Sequence, residues 1–114
     1  MAQYAAVEAL TGPQDDVAKM AGEFDRRRRL IVEGLNALPG VRCPMPRGAF
    51  YAFAKVPERL GMTATQFKEA ARARRVLVVP GAAFSSRDTH FRLSFATAEA
   101  KLREGLDILV ELMR

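Results

Sequence analysis

Tryptophan is absent from this chain, cysteine and histidine occur once each, and no apolar run approaches the length of a membrane span. With Cys43 alone there is no internal disulfide and no cysteine metal cluster. Its position before Pro44 in an expected strand marks it as a passive, partly buried thiol rather than a nucleophile. Met1 is not followed by the basic-then-apolar pattern of a secretory signal, so the expected location is the cytoplasm. His90, the single histidine, has no nucleophile or carboxylate at a telling spacing and reads as a loop residue. No zinc spacing, RNP-type aromatic strand or helix-turn-helix pattern occurs.

What is present is the composition of a folded domain. The 114 residues are 49% hydrophobic and 27% charged, enough to bury a core without disulfides or a metal. A net charge of +5, concentrated in Arg26-Arg27-Arg28-Arg29 and in Arg72, Arg74 and Arg75, suggests nucleic acid at first reading. Each cluster, however, falls in a helical pattern that also carries acids: Glu23, Asp25 and Glu33 for the first, Glu69 for the second. Pairing along a solvated helix face explains both, and neither nucleic acid nor a membrane is expected as a partner.

Alanine-rich residues 2–10 read as a helix closed by Thr11-Gly12. A second helix of about 25 residues follows, with Thr11 or Gly12 as cap, Pro13 in its first turn and Asp15 and Asp16 at its positive end. Val17, Met20, Phe24, Ile31, Leu35 and Leu38 give it one apolar stripe, and Pro39-Gly40 ends it. Strands are expected at 41–44 (an edge, given Pro44 and Pro46), 48–54, 76–79 and 91–95. Thr63-Ala64-Thr65-Gln66 has capping-box spacing and opens a helix to about Arg75, while Thr97 caps a final helix striped by Leu102, Leu106, Leu109 and Met113. The order α-α-β-β-α-β-β-α defines an α+β fold, a small sheet of about four strands packed against helices, as one domain over residues 1–114.

Phe91-Arg92-Leu93-Ser94-Phe95 alternates so that the apolar residues face one way and Arg92 and Ser94 the other. A strand-held arginine is a suitable fork for a carboxylate, but spacing alone favours the plainer reading, an edge-strand charge paired with a nearby Asp or Glu. The order of residues around it adds more. Gln3-Tyr4-Ala5-Ala6 with Ala9-Leu10, then Pro46-Arg47-Gly48-Ala49-Phe50-Tyr51, then Pro80-Gly81…Phe84…Arg92-Leu93-Ser94-Phe95-Ala96 with Leu102 and Glu104-Gly105-Leu106, resembles the C-terminal small domain of class I/II, fold-type I aminotransferases, most like the aspartate aminotransferase group. The resemblance covers nearly the whole chain. It departs at Ser85, where family members often carry glycine.

The resemblance implies an enzyme that uses pyridoxal phosphate to move an amino group between an α-amino acid and a 2-oxo acid. It implies Arg92 as the residue that binds the substrate α-carboxylate, and Gly48 as part of a turn that lets the backbone approach the substrate. It also implies a homodimer in the parent enzyme and a large domain that carries the cofactor. Residues 1–12 would then be the end of an interdomain helix. Lys19, Lys55, Lys68 and Lys101 are the four lysines, and none lies in the family's Ser-x-x-Lys setting for a Schiff base. The chain is therefore expected to lack catalytic residues of its own, to bind no cofactor and to be inactive alone. The other reading from a different class is a stand-alone, non-catalytic module binding small molecules or nucleic acid on the same scaffold. A Schiff-base lysine segment preceding Met1 decides for the first.

Overall fold

The computed structural model describes residues 1–114. In chain order the elements are α1 (Ala2–Thr11), α2 (Asp15–Asn36), β1 (Tyr51–Lys55), α3 (Ala64–Ala73), β2 (Val79–Pro80), β3 (His90–Ser94) and α4 (Glu99–Leu112). The strands form one antiparallel sheet in the order β1-β3-β2, so β3 is central. Helices α2, α3 and α4 cover the face to which Ala52, Ala54, Phe91 and Leu93 point. The result is the expected α+β fold, with three strands where about four were expected.

The missing strand is residues 41–44, and its chemistry explains the difference. Pro44 and Pro46 bring no N–H to a ladder. Asn36, the last residue of α2, takes both main-chain groups of Cys43 instead: its side-chain oxygen accepts the Cys43 N–H at 2.9 Å and its nitrogen donates to the Cys43 carbonyl at 2.8 Å. One ladder-like bond survives, Lys55 N–H to the Arg42 carbonyl at 2.9 Å. Val41 and Cys43 still bury their side chains, so the segment packs as expected without pairing. The strand expected at 76–79 shrinks for a related reason. Val76 turns its N–H back to the Ala71 carbonyl at 3.0 Å, with Arg75 left-handed at φ 66°, and so closes α3. Pairing with β3 is left to Val79 and Pro80.

Phe67, Phe91 and Phe95 are fully buried, with the Phe67 and Phe91 rings 4.8 Å apart. Thr63 and Gln66 complete the reciprocal capping box at the start of α3. Two other caps differ from expectation. Gln14 occupies the cap of α2, and Thr11 stays in α1, where its hydroxyl donates to the Val7 carbonyl at 2.8 Å. Ala98, not Thr97, precedes α4, with no side-chain cap bond.

The stripe on α2 is buried at Ile31 and Leu35 but exposed at Val17 and Met20. Helix α1 buries no residue, and Tyr4, Val7 and Leu10 are open to solvent. No helix is long and apolar enough to cross a membrane.

Candidate functional site

Alternation on β1 and β3 divides the sheet into a core face and an open face. Tyr51 faces Ser94, Phe53 faces Arg92 and Lys55 faces His90 across the antiparallel pair. These residues share the face away from the core, because Ala52, Ala54, Phe91 and Leu93 occupy the other. Three aromatic side chains of the open side remain exposed, Tyr51 at 36%, Phe53 at 42% and Phe84 at 53%. The open side of the sheet is thus aromatic rather than polar.

Arg92 sits in the middle of it, half-buried, on the central strand. Its guanidinium carbon lies 4.3 Å from the centre of the Tyr51 ring and 4.4 Å from that of Phe84. Tyr51 comes from β1 and Phe84 from the loop after β2, so the rings approach from opposite sides of β3. No carboxylate pairs with Arg92, and no side-chain hydrogen bond within the fold uses its N–H groups. The alternative considered from sequence, a strand arginine neutralised by a nearby acid, is not what the structure holds. A guanidinium held over aromatic rings, with no acid beside it, keeps its charge and its donors available to a planar anion.

The loop that delivers Phe84 is tightly built. Gly81 opens a short 3-10 turn, and the Phe84 N–H returns to its carbonyl at 2.8 Å. A Cβ on Gly81 would meet the His90 carbonyl oxygen at 2.9 Å and that of Arg87 at 3.0 Å. Ser85, standing where family members often carry glycine, accepts the Arg87 N–H on its hydroxyl at 3.1 Å. His90 is the first residue of β3 rather than a loop residue, and its ring lies flat on Phe53 with centroids 5.2 Å apart. Burial, then the nearby charges of Lys55 and Arg87, push its pKa below the usual histidine value.

Gly48 lies in the segment leading into β1, and a Cβ there would meet nothing within 4 Å. The left-handed residue of this turn is its neighbour Ala49, at φ 57°. Arg28 holds the segment to α2 by donating to the Pro46 carbonyl at 2.7 Å while pairing with Asp25. Arg26 and Arg27 pair with Glu23, Arg29 with Asp25, Arg72 with Glu69 and Arg74 with Glu111, so the arginine run is a paired helix face. The aromatic pair around Arg92 was not read from sequence. No spacing rule ties residue 84 to residue 92 across a loop. The Tyr51-x-Phe53 alternation was the available signal.

Residues 1–109 match the family model described as aminotransferase class I and II, and the chain belongs to that family. It is 40% identical over 117 aligned positions to the aspartate aminotransferase of Rhizobium meliloti, covering 94% of this chain and 28% of that protein. Among solved structures, the alanine aminotransferase of Pyrococcus furiosus superposes with a TM-score of 0.90 at 32% identity, over 98% of this chain and 29% of that one. The aspartate aminotransferase of Thermus thermophilus, solved with maleate, gives a TM-score of 0.83 at 37% identity, over 97% of this chain and 29% of that one. The chain thus spans under a third of the length of the relatives it matches.

Proposed function

We propose that this chain is the substrate-gripping small domain of an amino-acid aminotransferase, which transfers an amino group between an α-amino acid and a 2-oxo acid. Arg92 receives the substrate's α-carboxylate. The observation that carries this reading is an arginine on the central strand, half-buried between two aromatic rings and without an acidic partner. Maleate bound to the Thermus thermophilus relative is a dicarboxylate, the kind of ligand such a fork takes.

Pyridoxal phosphate, which the family implies, supplies the electron sink for this chemistry when bound. The residues of this chain do not fit its attachment. Lys55, Lys68 and Lys101 are each bound to a glutamate at 2.6 to 2.8 Å, and Lys19 lies on the exposed side of α2. The cofactor and the catalytic lysine are therefore assigned to the large domain, and the chain by itself is assigned no turnover.

Its own contribution is to bind, orient and exclude water. Two parallel charge-assisted bonds fix both oxygens of a carboxylate and hence the direction of the Cα substituents. Closure of the domain over a bound substrate would cover Tyr51, Phe53 and Phe84 and remove water from the reacting carbon. The exposed apolar side of α1 (Tyr4, Val7 and Leu10) suits the end of a helix shared with the large domain, in a homodimeric parent.

Arg92→Lys in the full-length enzyme tests the reading. It keeps the charge and loses the fork, so kcat/KM is expected to fall by roughly 100-fold or more. Unchanged kinetics would remove Arg92 from the site.

A further inference from the structure

We infer that Tyr51 and Phe84 are positioning residues, a two-sided aromatic clamp that takes the place of an acidic partner and fixes the plane in which Arg92 presents its N–H edge. The inference rests on Arg92 as the carboxylate-binding residue and adds how its geometry is set.

An arginine meant for a substrate anion faces a physical difficulty. A neighbouring carboxylate would orient it but would also occupy its donors and cancel its charge. A guanidinium left unsupported samples many rotamers, and ordering it on binding weakens affinity. Aromatic faces solve both problems. The ring quadrupole attracts the cation and restricts where it sits, and a ring face neither cancels its charge nor takes up the paired N–H donors as a carboxylate would. The observed distances, 4.3 Å to Tyr51 and 4.4 Å to Phe84, lie within cation–π contact for both rings.

The two rings are held differently, which gives the clamp a rigid jaw and a jaw on a loop. Tyr51 belongs to β1, where it pairs in register with Ser94 and its ring leans on Phe50 with centroids 4.5 Å apart. Phe84 ends the 3-10 turn that Gly81 opens, and that turn fits only because Gly81 has no side chain against the His90 and Arg87 carbonyls. Both rings are otherwise poorly used as core, being 36% and 53% exposed. Packing alone accounts for little of their placement.

The test uses the full-length enzyme and four variants beside Arg92→Lys: Tyr51→Leu, Phe84→Leu, and the ring-keeping Tyr51→Phe and Phe84→Tyr. Each Leu variant is expected to raise the KM for the amino-acid substrate and the Ki of propionate, a bare monocarboxylate, by roughly tenfold, with kcat changed less than threefold. The ring-keeping variants are expected to stay within about threefold of the parent. Thermal melting identifies variants disturbed in fold, and Tyr51→Met or Phe84→Met, which removes the ring but keeps the bulk, replaces a Leu variant that unfolds, with the same expected rise in Ki. Leu variants with unchanged KM and Ki, beside a damaged Arg92→Lys, would overturn the clamp and leave Arg92 in its role. An unaffected Arg92→Lys would overturn the reading beneath it.

Discussion

The carboxylate of Asp88 accepts the main-chain N–H of Thr65 with both oxygens, at 3.1 and 3.2 Å, tying the loop that carries Phe84 to the first turn of α3. The Asp88 carbonyl adds a second tie, accepting the Ala64 N–H at 2.9 Å. Thus a helix N-terminus, with its unpaired N–H groups and positive end, anchors the loop bearing one jaw of the clamp.

Hydrogen bonding from the Thr65 side chain is the main influence holding the Asp88 carboxyl below the usual carboxylate pKa, against a smaller opposing effect of desolvation, and the Thr65 main-chain N–H adds a lesser contribution in the same direction. A carboxyl depressed in the folded state stabilises above its ordinary pKa, and that contribution disappears as pH falls through the depressed value. The protection of the Thr65 and Phe84 amides, taken as exchange relative to the unstructured rate at the same pH, is therefore expected to fall on acidification below the carboxylate range, and at neutral pH in Asp88→Ala. Exchange that is insensitive to both changes would show that the loop is anchored elsewhere.

Much of this site was legible before the structure, and the reasons differ by residue. Alternation in Phe91-Arg92-Leu93-Ser94-Phe95 put Arg92 on the open face because burial on a strand repeats every second residue. The Thr63–Gln66 box was readable because a cap depends on contacts three residues apart. Residues 41–44 were misread as a strand because Asn36, several residues earlier, takes the main-chain groups of Cys43, a competition local propensity does not contain. Phe84 was missed for the same kind of reason: its place over Arg92 is fixed by a loop closed from α3.

The two glycines of the site are expected to respond differently to a methyl group. Gly81→Ala forces a Cβ against two carbonyl oxygens at 2.9 and 3.0 Å, and is expected to cost about 1–3 kcal/mol of stability in thermal or denaturant unfolding. Gly48→Ala meets nothing within 4 Å and should leave the melting temperature nearly unchanged. If Gly48 is where the backbone approaches substrate, the same change raises KM in the full-length enzyme. A destabilised Gly48→Ala, or a neutral Gly81→Ala, would contradict the geometry.

Cys43 is buried, and desolvation pushes its thiol pKa up. A raised thiol pKa means that stability declines as pH rises past the ordinary thiol value, because unfolding then releases a proton. Alkylation by iodoacetamide at mildly alkaline pH is expected to be slow for the folded chain and fast in denaturant. Rapid stoichiometric labelling of the native chain would place Cys43 at the surface.

A crystal structure of the full-length enzyme with a dicarboxylate such as maleate puts the central claim to the most direct test. One carboxylate is predicted to lie in the plane of the Arg92 guanidinium, held by two parallel N–H···O bonds of about 2.7–2.9 Å, with Tyr51 and Phe84 still packed on the guanidinium faces. A carboxylate seated on other groups, with Arg92 unliganded or turned onto an acidic side chain of the large domain, would contradict it.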